Sequence, residues 1–232
     1  MNKFLPRLAL AAAALTFLGM PQAAVMTMEN VVAGSILFAG ESYAEVGHKL
    51  TVNVGAGVID TAAAFGPGGG LDPAGPIGND SQFFVGLNDA LVTLTADDGG
   101  SFGLAGFDFG FVSALTDLFA PGEAAGFLVG LYQEAATGNT GVMSWSFGVA
   151  DGNGQFSFQR LGLADMGVLS GGMRSVQLFA CTADIAGDCV NPNRNFGQFA
   201  LDNINFVPEP GSLALVVLAL GLGGGLRARR NR

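Results

Sequence analysis

Short segments in which apolar residues alternate with small or polar ones recur along this chain, and they restrict the fold more than any other feature. Phe107, Phe109 and Phe111 are separated by single Asp and Gly residues, and residues 91–95 and 145–149 repeat the same period of two. Because successive side chains of a β-strand point to opposite faces, each segment predicts a strand with one face in a core. Further strand candidates are residues 36–38, 50–54, 83–85, 127–132, 155–158, 176–180 and 198–206.

Turn-forming residues separate these segments. The chain contains 37 Gly and 9 Pro among 232 residues, and Asp-Gly-Asn-Gly at 151–154 predicts a tight hairpin between the segments on either side. Residues 97–100 separate two more strands, and the Gly- and Pro-rich residues 66–79 predict a long surface loop. The short helix candidates are residues 114–119 and 161–166. The expected fold is all-β, an antiparallel β-sandwich of jelly-roll type.

The N-terminal residues have the three parts of a secretory signal peptide. Lys3 and Arg7 form the basic part, residues 8–18 are uninterruptedly apolar, and Ala23 and Ala24 supply small residues for cleavage. We therefore expect residues 1–24 to direct export and to be cut off after Ala23 or Ala24.

A second apolar segment lies at the C-terminus. Pro208, Glu209 and Pro210 precede 16 mostly apolar residues, 211–226, and four arginines follow within the last six residues. As a helix this segment would be about 24 Å long, somewhat less than the roughly 30 Å of a hydrocarbon layer, so it predicts a short transmembrane helix that spans marginally. The arginines would hold this end on the cytoplasmic side and leave the preceding chain outside.

This order of Pro-Glu-Pro, apolar span and basic end resembles the sorting signal of PEP-CTERM proteins, over residues 207–232. The resemblance implies export through the inner membrane of a Gram-negative bacterium that makes exopolysaccharide. It further implies recognition by an exosortase near Pro208, Glu209 and Pro210, removal of the tail, and only transient contact with the membrane. The expected destination is the cell envelope, cell surface or extracellular matrix. A permanent single-span anchor is the alternative.

Between the two signals lie residues 25–206, which are enough for one domain with its own core. Removal of both signals leaves four basic and 18 acidic residues, a formal charge of about −14. Nucleic-acid binding needs clustered Lys and Arg against the phosphates, and four scattered cations do not supply them. Cations are the expected small partners.

Cys181 and Cys189 are the two cysteines of the chain. Because the export signals place them in an oxidising compartment, we expect a disulfide. Two cysteines with no histidine nearby do not supply the four ligands of a structural zinc site.

Gln198, Phe199 and Asp202 match the Gln-Phe-x-x-Asp motif of one subgroup of PEP-CTERM proteins, which implies no particular activity. Phe199 and Leu201 stand at odd positions and Ile204 at an even one, so the regular alternation of apolar residues is interrupted after Asp202. A β-bulge at residues 202–203 would allow all of them to face the core, and we expect one there.

Asp202 in a final strand also resembles the acidic residue of galactose-binding-like jelly rolls that helps to hold a structural Ca²⁺. The resemblance implies that Glu41 or Glu45, from the N-terminal part of the domain, would complete the ligand set. Calcium prefers six to eight oxygen ligands. The alternative is that Asp202 accepts hydrogen bonds in a turn.

Gly-x-Ser-x-Gly at residues 99–103 resembles the nucleophile elbow of hydrolases, but glycines follow where a helix is needed, and the single histidine, His48, precedes Ser101. We therefore expect no enzyme activity, although a glycoside hydrolase needs only two carboxylates. The expected function is a non-catalytic structural or adhesive role at the cell surface or in the extracellular matrix. The alternative is a Ca²⁺-stabilised carbohydrate-binding module for exopolysaccharide, and a glycan hydrolase ranks third.

Overall fold

The computed structural model of the protein describes residues 24–66, 69, 71, 73–114, 119–184, 186, 188–190 and 197–207. Within them the chain is predominantly β, with one short α-helix, α1 (Leu163–Met166), and two 3-10 turns, Ala62–Ala64 and Gly167–Ser170. The strands are β1 (Ala24–Met26), β2 (Ser35–Phe38), β3 (Ser42–Glu45), β4 (His48–Thr61), β5 (Gln82–Ala96), β6 (Gly103–Phe111), β7 (Gly126–Glu134), β8 (Thr140–Ser146), β9 (Gln159–Leu161), β10 (Met173–Ala183), β11 (Cys189–Val190) and β12 (Phe199–Val207).

All pairings between these strands are antiparallel, and the main order is β8-β7-β10-β5-β12-β6-β9. On its free side β4 pairs with β2 and β3, while β1 pairs with the end of β12. Strand order thus departs from sequence order, because β10 and β12 each insert between strands that precede them in the chain. The prediction of an all-β antiparallel fold is confirmed.

The long strand β5 has two different partners on one of its sides. Its first part pairs with β12 and its second part with β10, and Asn88 and Asp89 between the two parts have positive φ values of 59° and 54°. Opposite this point β4 changes register at Gly55, where an added Cβ would lie 2.5 Å from the Leu87 carbonyl oxygen. Only glycine fits this approach, so the pair β4–β5 can bend and the sheet curls around a core.

Phenylalanine rings dominate this core. Phe107, Phe109 and Phe111 are each 1 % exposed, and Trp145 of β8 packs edge-on against Phe107 with a centroid distance of 5.4 Å. The predicted inward face of β6 is therefore confirmed. The opposite face of β6 is covered as well, because Gly110 lies against Pro76 of the long loop.

The hairpin predicted at residues 151–154 is wrong in its pairing. The turn itself forms, with the Gly154 amide donating to the Asp151 carbonyl at 3.1 Å. However, β8 pairs with β7, and β9 pairs with β6. Phe147 and Phe156 flank the turn and both pack on Phe111, with centroid distances of 5.3 and 5.0 Å, and Ser157 pairs with Ile77 rather than with the segment before the turn.

Cys181 of β10 and Cys189 of β11 form the expected disulfide, with a Cα–Cα distance of 5.6 Å. Of the two helix candidates, residues 161–166 contain α1, and most of residues 114–119 lie outside the described residues. Residues 1–23 and 208–232, which contain almost all of the predicted signal peptide and of the predicted sorting signal, also lie outside them. In the part of the chain that the structure describes, no helix has both the length and the apolar character needed to cross a membrane.

Candidate functional site

Two buried carboxylates meet where the final strand pairs with β6. Asp202 of β12 and Asp108 of β6 are direct cross-strand partners, and they are 0 % and 8 % exposed. Burial of an ionised carboxylate is unfavourable unless hydrogen bonds and opposite charges compensate. The neighbouring side chains supply both.

Asp202 accepts hydrogen bonds from three residues. The Asn79 amide and the Ser81 hydroxyl donate to its Oδ2, each at 2.7 Å, and the Asn203 backbone amide donates to its Oδ1 at 2.7 Å. The Ser81 backbone amide donates to the Asn79 side-chain oxygen at 2.8 Å, which fixes the orientation of the Asn79 amide. Burial raises the pKa of the Asp202 carboxyl, the Asp108 charge acts in the same direction, and these hydrogen bonds oppose the shift.

Asp108 forms an ion pair with Arg160 of β9. The Nε and one terminal nitrogen of the guanidinium donate to its two oxygens at 2.7 and 2.8 Å, a bidentate arrangement. The Arg160 side chain is 77 % exposed, so solvent screens the pair on one side. Hydrogen bonding to Asp108 raises the pKa of the guanidinium.

Asn203 connects the two carboxylates. Its side-chain amide donates to Asp108 at 2.9 Å and to Asp202 at 3.2 Å. Its φ is +48°, and the pairing of β12 with β6 shifts between Asp202 and Asn205. The predicted bulge is therefore confirmed, and Ile204 beyond it is 0 % exposed, like Leu201 before it. The left-handed backbone brings the Asn203 side chain between the two acids.

The other two residues of the Gln-Phe-x-x-Asp motif are also buried. Phe199 packs tightly against Gly86 of β5, where an added Cβ would lie 2.7 Å from its ring. Gln198 is 4 % exposed, and its carbonyl accepts a hydrogen bond from the Val112 amide at 3.2 Å. The motif thus places one side chain in the core and one in the polar network.

Glu45 and Glu41, the expected partners of Asp202 for Ca²⁺, have hydrogen-bond partners of their own. Glu45 of β3 accepts from the Thr27 and Met28 amides at 2.8 and 3.2 Å and so holds the segment after β1. Burial and the nearby Glu45 carboxylate raise the pKa of Tyr43 to about 12. Glu41 accepts from the Phe38 amide at 2.7 Å within a turn.

Within the described ranges, no three His, Cys, Asp or Glu side chains are grouped in a way that could hold a metal ion. Asp202 accepts three hydrogen bonds at Oδ2 and one at Oδ1, so its chemistry here is that of a hydrogen-bond acceptor. The proposed Ca²⁺ site at Asp202, Glu41 and Glu45 stays a prediction.

A surface depression of about 480 Å³ borders the network. Asp108, Arg160, Asn203 and Asn205 line it together with backbone at Gly106 and other residues of β1, β6 and the β9 end. Planar amide, carboxylate and guanidinium groups of this kind suit pairs of hydroxyl groups on a ligand. Sequence reasoning did not identify Asp108, Arg160 or Asn203 as a group, because three separate segments contribute them.

A second depression, of about 450 Å³, contains the single histidine. The His48 ring stacks on Phe206 with a centroid distance of 3.5 Å, and its Nδ1 lies 3.0 Å from the Val46 carbonyl oxygen. Burial lowers the pKa of His48, while the nearby Asp97 and Asp98 carboxylates oppose that change. The lowered pKa favours the neutral imidazole.

Ser101 lines the same depression as His48. The chain after it enters strand β6, so the Gly-x-Ser-x-Gly segment does not lead into a helix. That a serine, a histidine and two carboxylates share one depression was not expected from their positions in the sequence.

Comparison of the chain with protein-family models and with curated proteins found no match.

Proposed function

We propose that the protein is an exported, exosortase-processed component of the cell surface or extracellular matrix, with a non-catalytic structural or adhesive role. The observation that carries the proposal is the pairing of Ala24 with Phe206, between the start of β1 and the end of β12. Because the two strands are antiparallel, both ends of the domain leave it at the same side. The two segments that the sequence marks for the membrane begin next to these ends.

This arrangement suits a domain that is tethered and then released. Residues 1–23 precede Ala24, and Pro208 follows Val207 directly. Cleavage at both signals would free the domain without removing any of its strands. The disulfide between Cys181 and Cys189 supports the export part of the proposal, since such bonds persist outside the reducing cytoplasm.

The polar network supports a structural role. The carboxylates of Asp108 and Asp202 join β6, β9 and β12, because Ser81, Arg160 and Asn203 donate hydrogen bonds to them. We further propose that the curled sheet is a β-sandwich of jelly-roll type. Its support is the insertion of β10 and β12 between strands that precede them.

Mass spectrometry of the native product from the producing bacterium tests the export and sorting. We expect a chain that begins after Ala23 or Ala24 and ends near Pro208, Glu209 and Pro210. Replacement of these three residues by alanine should leave the tail attached, while the control Ser212→Ala should not. A mature protein that still carries its last 20 residues would establish the permanent anchor instead.

A second candidate function is carbohydrate binding, favoured by the depression at Arg160. Its polar lining could hold sugar hydroxyls of the exopolysaccharide, and Ca²⁺ at Asp202, Glu41 and Glu45 would stabilise the domain. Calorimetry of the exported protein with and without Ca²⁺, followed by a glycan array, tests both parts. Arg160→Lys should weaken glycan binding, whereas Arg174→Lys, at an exposed position of β10, should not. The absence of a melting shift and of any bound glycan would leave the structural role.

A further inference from the structure

The depression around His48 lies where the processed N-terminus emerges. Ala24, His48, Asp97, Asp98, Phe206 and Val207 are among its lining residues. Ala24 is the first residue of β1, is half-buried and is itself one of the residues that line this depression. The amide that joins Ala24 to Ala23 is one of the two bonds expected to be cut on export.

We infer that this depression is the binding site of the chain's own N-terminal ammonium group, which forms when the bond between Ala23 and Ala24 is cleaved. The inference rests on the proposed export. Hydrolysis of that amide converts a neutral nitrogen with one N–H into an ammonium with three, and the carboxylate of Ala23 leaves with the signal peptide. Pairing of β1 with β12 uses at most one of these N–H groups, so the others can point at acceptors in the depression.

The charge of the depression suits an ammonium group. Asp97 and Asp98 belong to the turn between β5 and β6, and the Asp97 amide donates to the Gly47 carbonyl at 3.0 Å, which holds this turn beside the start of β4. Of the described residues that line the depression, the titratable ones are these two acids and His48. The neutral His48 does not oppose a cation at pH 7, and the two carboxylates attract it.

The precursor lacks this interaction. While residues 1–23 are attached, the nitrogen of Ala24 is an uncharged amide. No ammonium group is then present to attract the Asp97 and Asp98 carboxylates. Processing therefore adds an attraction between β1 and the β5–β6 turn. Because Asp97 and Asp98 are exposed, solvent screens their charges, and we expect them to raise the pKa of the α-amine by about half a unit.

The mature chain offers a favourable background for the test. Lys3 is removed with the signal peptide and Lys49 is the other lysine of the chain, so Lys49→Arg leaves the α-amine as the sole primary amine of the processed protein. The full chain is exported from a host, the N-terminus is identified by mass, and the α-amine is labelled by ¹³C reductive methylation with limiting formaldehyde, so that the monomethylated form, which keeps its charge and two N–H groups, is observed. NMR then follows its titration.

We expect the pKa of the α-amine to lie about half a unit above that of the same amine in the urea-unfolded protein. Asp97→Asn with Asp98→Asn should abolish the difference. The turn should survive this change, because the amide oxygen introduced at position 98 can still accept from the Gly100 amide, as the Asp98 carboxylate does. The matched control, Asp80→Asn with Asp188→Asn, removes two exposed carboxylates elsewhere and should preserve the difference. In the protein that keeps Asp97 and Asp98, 1 M salt should also reduce the pKa difference, because salt screens charges at the surface.

An equal pKa in the two double variants overturns the inference. A mature chain that begins at Val25 also overturns it, but leaves the proposed export intact. A chain that still begins at Met1 overturns the export itself.

Discussion

Asp108 and Asp202 lie directly opposite each other on β6 and β12, and both carboxylates are buried. Like charges in this position repel, so the pair persists only because Arg160, Asn79, Ser81 and Asn203 surround it with donors. The stability of the last strand therefore depends on a polar network and not only on the phenylalanine core.

Asp202→Ala tests this dependence. It leaves the donors of Asn79, Ser81 and Asn203 without their acceptor in a buried position, and we expect a loss of about 2 to 4 kcal/mol in the free energy of unfolding. Asp202→Asn, which keeps one acceptor, should cost less. Urea unfolding followed by circular dichroism measures both. Asp80→Asn, at an exposed position, should remain within about 0.5 kcal/mol of the parent, and an equally small effect of Asp202→Ala would contradict the structural role.

The raised pKa of Asp202 predicts a pH dependence of stability. Because the folded state holds this proton more tightly than the unfolded state, the contribution of Asp202 is largest below its ordinary pKa of 3.8 and is lost as the pH rises through the folded pKa. The free energy of unfolding of the parent minus that of Asp202→Asn should therefore fall from pH 3.5 upward until the carboxyl is ionised. The subtraction removes the contributions of the other acids. A difference that rises over this range would show that the hydrogen bonds outweigh burial.

Arg160→Gln tests the ion pair at the edge of the network. The guanidinium is mostly exposed, so its charge is screened, but Asp108 would lose two charge-assisted hydrogen bonds. We expect a loss of about 1 to 2 kcal/mol that is accompanied by weaker dependence of stability on salt. Arg174→Gln, on the exposed side of β10, is the matched control. If the two variants behave alike, Arg160 has no special role in holding β9 to β6.

Replacement of Cys181 and Cys189 by serine tests the disulfide. The bond closes a short loop between β10 and β11, and its removal should cost about 2 to 3 kcal/mol by the loop-entropy estimate. Thermal unfolding of the parent under reducing conditions should reproduce the lower melting temperature of the double variant. A melting temperature that does not respond to reduction would indicate that the thiols are not linked in the purified protein.

The features that sequence reasoning predicted correctly are local ones. The alternation of Phe107, Phe109 and Phe111 predicted a buried strand face, and the slip of phase between Leu201 and Ile204 predicted the bulge, because a period of two is visible along a single strand. The residue Asp108, in contrast, was expected on an outward face. It is buried because Arg160 and Asn203, from distant segments, cover it, and no local pattern reports such a contact.

The same reasoning explains the wrong hairpin. Asp151 to Gly154 do form a tight turn, but the partner of a strand is chosen by burial over the whole sheet. Phe147 and Phe156 both pack on Phe111, and Ser157 forms its bridge with Ile77, a contact distant in sequence that no local pattern predicts. The depression at His48 was likewise invisible in the sequence, since β1, β4, β12 and the β5–β6 turn each contribute to it.

The position of β12 has a consequence for the timing of folding. Its nine residues are the last of the domain to leave the ribosome, yet they lie between β5 and β6 and carry both Phe199 and Asp202 into the interior. The sheet cannot close until they arrive. On the proposed route of export, the chain therefore crosses the inner membrane before β12 has joined β5 to β6. The domain is completed only when β12, the segment just before the predicted sorting signal, has emerged.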